Sequence, residues 1–169
     1  MGGGVRGVSE AMIYEFFMWC ERTAMHDAIA NSLWAFAVIE SIHLLALAAI
    51  GGAVLVVDMR MLGFGLKQQS ISEVARNAYP WLVGSLIVML ATGIPLFLSE
   101  PTKCYYSYPF WVKMTALALS IVFTFTIRRM VTRADDSRMR PVVYKLTAVV
   151  SLALWFTVGA AGRWIGFSG

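Results

Sequence analysis

Two ionisable residues stand inside an otherwise apolar stretch. Residues 31–57 contain no ionisable side chain except Glu40 and His43. An acid and an imidazole carried into hydrocarbon are costly and mark ligand sites, proton paths or partner contacts. Their spacing of three puts them on neighbouring parts of one helix surface. His43 lies 12 residues into the stretch, about 18 Å from its start in a helix. Ala46, one turn on, is small and leaves room beside the ring. A neutral imidazole in apolar surroundings suits the iron of haem b, which is commonly held by an axial His. The competing reading is a His hydrogen-bonded to a neighbouring helix. Glu40 has three choices: a bond to His43, a pairing with a cation, or retention of its proton.

Two cations are candidates for the same neighbourhood. Lys113 falls about four residues into a later apolar stretch, and Arg163 closes the last one. One glutamate and two cations leave excess positive charge, which haem propionates would balance. Otherwise both cations snorkel to the headgroups. His43 is therefore the candidate metal ligand, and Glu40, Lys113 and Arg163 complete the candidate cofactor set.

Asp58 lies 15 residues past His43 on a similar helix face. It reads as a structural lock, paired with Arg60 or with a basic residue of a later loop. Cys20 and Cys104 are the only cysteines. A bridge between them would staple the N-terminal segment to the loop after the second span, and two thiols remain the alternative. No CxxCH haem-attachment motif is present. The ten methionines are scattered, as expected of apolar filler rather than a copper site. No phosphate-binding loop or catalytic triad is recognisable.

The elements that would position these residues are set by hydropathy. The chain has 169 residues, 59% of them hydrophobic, above the range of soluble domains. Four spans are expected at residues 31–57, 81–98, 110–127 and 142–161, each long enough to cross a bilayer as a helix. The expected fold is an all-α integral membrane four-helix bundle. Residues 1–30 should form a glycine-rich flexible tail and an interfacial amphipathic helix, with residues 31–169 as the transmembrane domain.

That N-terminal helix is expected at about residues 10–25, with Met12, Ile13, Phe16, Trp19, Cys20 and Thr23 on one side. It would either lie in the interface or pack on the end of the bundle. Pro95 should kink the second span. The stretches at 58–80 and 128–145 hold nine of the 14 Lys and Arg. The positive-inside rule puts those loops in the cytoplasm and both termini outside. The net charge of +4 is explained by this topology, and no nucleic-acid partner is expected.

The chain resembles a family of small four-helix bacterial membrane proteins of uncharacterised function. The resemblance rests on Val38-Ile39-Glu40-Ser41-Ile42-His43, Val57-Asp58-Met59-Arg60-Met61-Leu62-Gly63, Thr92-Gly93 and Pro109-Phe110-Trp111-Val112-Lys113. More distantly it is similar to the haem-binding membrane protoporphyrinogen oxidases and to copper-resistance D-type membrane domains. In the oxidases a first-helix His, an Arg at that helix's far end and a Lys after an aromatic are signature positions, matched in order by His43, Arg60 and Lys113. Glu40, Asp58 and the N-terminal segment have no counterpart there. The resemblance thus implies haem binding rather than the oxidase reaction.

Three functions are compatible with these residues. The first is a haem b protein of the bacterial inner membrane, acting in electron transfer with quinone or as a cytochrome-like subunit. Its second axial ligand is open, with His26 reaching the iron only if the chain folds back near Asn31. The second is an accessory subunit of a larger respiratory or photosynthetic complex, self-associating or bound to other subunits. It would be cofactor-free or would hold a chlorophyll-type pigment. The third is a small oligomeric transporter using Glu40 and His43 as a relay.

Overall fold

In a computed structural model the fold is all helical, with no strand among the described residues. These are residues 3–23, 32–66, 68–134 and 140–165. His26, Asn31, Lys67 and Arg138 lie outside them. Helix α1 covers Gly3–Glu21, α2 Leu33–Leu62, α3 Ile71–Ser99 and α4 Pro101–Tyr106. Helix α5, Tyr108–Phe123, continues through a π-helical turn at Thr124–Arg128 into α6, Arg129–Arg133. Helix α7 is Pro141–Ile165.

Four helical stretches are long and apolar enough to cross a membrane: Trp34–Leu62, Ile71–Ser99, Tyr108–Arg133 and Pro141–Ile165. Three of the four expected spans sit inside one of them, and the first, residues 31–57, does so from Trp34 onward. The helices outrun the expectation at the basic ends. Hydropathy stops at the first charges, whereas a helix continues until its backbone is capped. Helix α2 stops at a Schellman turn. Phe64 N donates to Met59 O at 2.8 Å and Gly63 N to Arg60 O at 3.1 Å, with Gly63 at φ +89°. Helix α3 starts well before residue 81 because Ser70 caps it, accepting from Glu73 N at 3.2 Å. The segment 58–80, expected as a loop, is therefore helical at both ends. Pro80 and Pro95 both lie within α3.

The chain forms two compact units. One comprises residues 1–44 and 88–107, the other 45–87 and 108–169.

In the first unit the start of the chain departs from the flexible tail expected there, since α1 begins at Gly3. Its inward face is also narrower than the expected stripe. Phe17 and Cys20 are buried, while Met12, Phe16 and Trp19 are exposed, Trp19 by 63%. Phe17 meets Phe97 and Tyr105 edge-on at 5.2 and 5.3 Å, and Tyr14 meets Tyr105 at 5.5 Å. The Thr102 hydroxyl donates to the Glu21 carboxylate. The helix packs on α4 and presents an apolar outer face. Cys20 and Cys104 are thiols with no disulfide joining them. The aromatic cluster and the Glu21–Thr102 bond make the staple a bridge would have made. Burial pushes the Cys20 thiol above its ordinary value.

In the second unit α5 packs along α7. Small polar residues line the buried surfaces, with Ser120, Thr147 and Ser151 all buried. Such residues let transmembrane helices approach closely. Val57, Met61, Ile71, Val74, Val131, Tyr144 and Ala148 form an apolar cluster near the basic ends.

Candidate functional site

His43 is 9% exposed, and its place in the first unit is set by α3. Nδ1 lies 2.9 Å from Thr92 Oγ1. Thr92 Oγ1 also lies 2.7 Å from Val88 O and 3.2 Å from Met89 O. Carbonyls only accept, and a hydroxyl has one proton to give. With that proton committed to the backbone, Oγ1 accepts from His43, so the imidazole hydrogen sits on Nδ1. A neutral ring in this tautomer carries its lone pair on Nε2. Gly93 completes the seat. A Cβ added there would stand 3.4 Å from His43 Cε1, in ordinary contact. Thr92 thus fixes the tautomer, and Gly93 faces the ring with room for a methyl group.

Glu40 does not share that seat. It is exposed and has no hydrogen bond or ion pair among the described residues. Three residues on a helix are about 60° apart around the axis, enough to put one inside and its neighbour outside.

Lys113 and Arg163 belong to the second unit. A Cβ added at Gly162 would lie 3.7 Å from Lys113 Cε and Nζ, so the lysine runs along α7 one residue from Arg163. The structure therefore brings Lys113 beside the end of α7. Lys113 is half-buried and Arg163 exposed.

Asp58 is a lock, as expected, and its partner is Arg128. Arg128 Nε donates to Asp58 Oδ1 at 3.0 Å and Nη2 to Val54 O at 3.4 Å. Asp58 is 0% and Arg128 6% exposed. Asp58 Oδ2 and the Ser151 hydroxyl near it are buried without reaching hydrogen-bond geometry. The other candidate partner, Arg60, instead donates to Gln69 O at 2.8 Å. Hydropathy puts Arg128 at the start of a loop, yet it ends a π turn inside a helix. A π turn adds a residue to the ring of backbone bonds and re-aims the residues after it, and hydropathy carries no sign of it.

Among the described residues no group of three or more His, Cys, Asp and Glu could hold a bare metal ion. The arrangement offers one buried imidazole with a fixed tautomer, and separately a closed ion pair. This defines an all-helical protein with four candidate membrane-spanning helices. The chain belongs to the family described as Family of unknown function (DUF6644), whose model matches residues 16–168. No curated protein and no solved structure matches it, and these comparisons give no link to haem or copper-resistance families.

Proposed function

We propose that this chain is a multi-pass protein of the bacterial inner membrane that holds haem b through His43. It would act in electron transfer as a subunit of a membrane complex, with quinone as a candidate redox partner. The observation that carries the reading is the Thr92 hydroxyl seated on Nδ1 of a buried imidazole, an arrangement that puts the lone pair of a neutral ring on Nε2. Axial histidines are commonly oriented by donating their other ring hydrogen to a neighbouring acceptor. A single imidazole is a poor site for a bare ion but sufficient for a metal whose other ligands come from a tetrapyrrole. Haem, when bound, supplies one-electron chemistry. The protein's part is to orient the ring, exclude water and supply positive charge. Lys113 and Arg163, the cations that the sequence offers for propionates, belong to the second unit. Glu40, one turn before His43, adds a carboxylate on the outer surface of the same helix.

The topology goes with this reading. The basic stretches would face the cytoplasm and both termini the opposite side.

A second reading, an accessory subunit, is favoured by Glu40 itself. An acid in a transmembrane helix costs about 2.5–3.5 kcal/mol at the helix centre on insertion scales, less nearer the ends. An exposed Glu40 is best accommodated against another subunit or a second copy. This is compatible with a cytochrome subunit and also with one that binds no cofactor.

The two part on an absorption spectrum of protein purified in detergent from haem-replete cells. A Soret band and a reduced α band of the b type are expected. Far-red bands would instead identify a chlorophyll-type pigment, and a featureless visible spectrum would leave the cofactor-free reading.

A further inference from the structure

A small cleft of about 30 Å³ lies in the second unit, toward the basic ends of its helices. One wall is apolar, with Ala53, Ala78 and Leu82. The other carries Thr124, Arg128, Arg129 and Thr132, and Tyr79 also lines the cleft.

The two arginines differ. Arg128 is spent on Asp58 and the Val54 carbonyl. Arg129 has no carboxylate partner among the described residues, and its Nε is buried without an acceptor. Its guanidinium carbon stands 5.2 Å from the centre of the Tyr79 ring. A cation held over an aromatic face keeps its in-plane N–H groups unspent. Among the described residues, two arginines against one carboxylate leave one positive charge on the polar wall. Thr132 makes only a 3.3 Å bond to Arg129 O, so its hydroxyl can turn toward a ligand.

A ligand that satisfies both walls is an anion attached to something apolar. Phosphate and the planar guanidinium fork match as a charge-assisted pair. Basic pockets between transmembrane helices on the cytoplasmic side suit anionic headgroups. We infer that the cleft seats the phosphate of an anionic phospholipid, with Arg129 as its principal contact and the glycerol end of the lipid along Ala53, Ala78 and Leu82. The inference rests on the membrane reading and is independent of haem.

The test is native mass spectrometry of the full chain, extracted from membranes in detergent and titrated with phosphatidylglycerol, phosphatidylcholine or inorganic phosphate. Phosphatidylglycerol should be retained, and phosphatidylcholine, whose choline cation cancels the phosphate charge and would stand beside the Arg129 guanidinium, should bind about tenfold more weakly. Inorganic phosphate should not displace the lipid. Arg129→Gln should lower phosphatidylglycerol affinity by about tenfold or more. Ala78→Leu, which fills the apolar wall and spares Arg129, should also weaken it. Arg133→Gln, exposed and off the cleft, should bind as the wild type does. Equal retention of the two lipids, unchanged binding by Arg129→Gln, or displacement by inorganic phosphate would overturn the inference. Recovery of the chain in the soluble fraction without detergent would overturn the membrane reading along with it.

Discussion

His43 and Asp58 stand on the same helix, both withdrawn from solvent, and their surroundings treat them in opposite ways. Asp58 is closed by a cation of its own chain at 3.0 Å. His43 is oriented by a hydroxyl that accepts a hydrogen bond from Nδ1. A buried charge with an internal counter-charge is complete and holds helices together. On the proposed haem reading, a buried imidazole oriented in this way is a prepared ligand. The difference between lock and site lies in what each neighbour accepts or donates, rather than in how polar each residue is.

The largest expected effect falls on the lock. Asp58→Ala leaves the Arg128 guanidinium buried and unpaired, a loss of about 3–5 kcal/mol. Thermal unfolding in detergent should show it. The double variant Asp58→Leu with Arg128→Met should recover most of that loss, because two apolar side chains replace a desolvated pair at little cost. A double variant as unstable as Asp58→Ala would mean the pair does more than hold helices.

Thr92→Val comes next and probes the other side of the comparison. It removes the acceptor for the Nδ1 hydrogen, with an expected cost of about 1–3 kcal/mol. Loss of such an orienting partner should also weaken cofactor retention about 10–100-fold. Unfolding and haem titration measure the two separately. A stability loss with unchanged haem affinity would make the Thr92 contact purely structural.

Gly93→Ala is expected to be mild. The new methyl meets His43 Cε1 at 3.4 Å without overlap, and alanine favours a helix by about 0.5–1 kcal/mol over glycine. Unchanged haem content with slightly raised stability is the expected outcome. A loss of haem would show that the ring tolerates no contact at that edge.

The smallest effect concerns Cys20. Its folded value is raised by burial, so its contribution to stability is present below the ordinary value of 9.0 and is lost as pH rises through the raised one. Alkylation near pH 8 should label the half-buried Cys104 before Cys20. The reverse order would contradict the burial of Cys20 against the rest of its unit.

Much of this contrast is legible in the residues alone. Long apolar runs fix where helices can cross a membrane, and Glu40, His43 and Asp58 stand out because apolar surroundings make ionisable groups conspicuous. What sequence does not give is which neighbour each side chain meets. Glu40 and His43 read as one face, yet a rotation of about 60° is enough to separate an exposed acid from a buried ring. Arg128 lies 70 residues from Asp58, and a π turn aims it. Thr92 has no evident role in the sequence, and only the position of its hydroxyl between His43 and Val88 reveals one. In α1, Phe17 rather than Phe16 turns inward because Phe97 and Tyr105 await it, and helical spacing alone does not name the partner.

The role of His43 is tested most sharply by haem content per chain, measured as the pyridine haemochrome, for wild type and His43→Ala purified side by side from haem-replete cells. Near-stoichiometric haem b is expected in the wild type, with its loss in a variant that remains folded by circular dichroism. Full haem occupancy in His43→Ala, or no haem in the wild type, would contradict an axial His43.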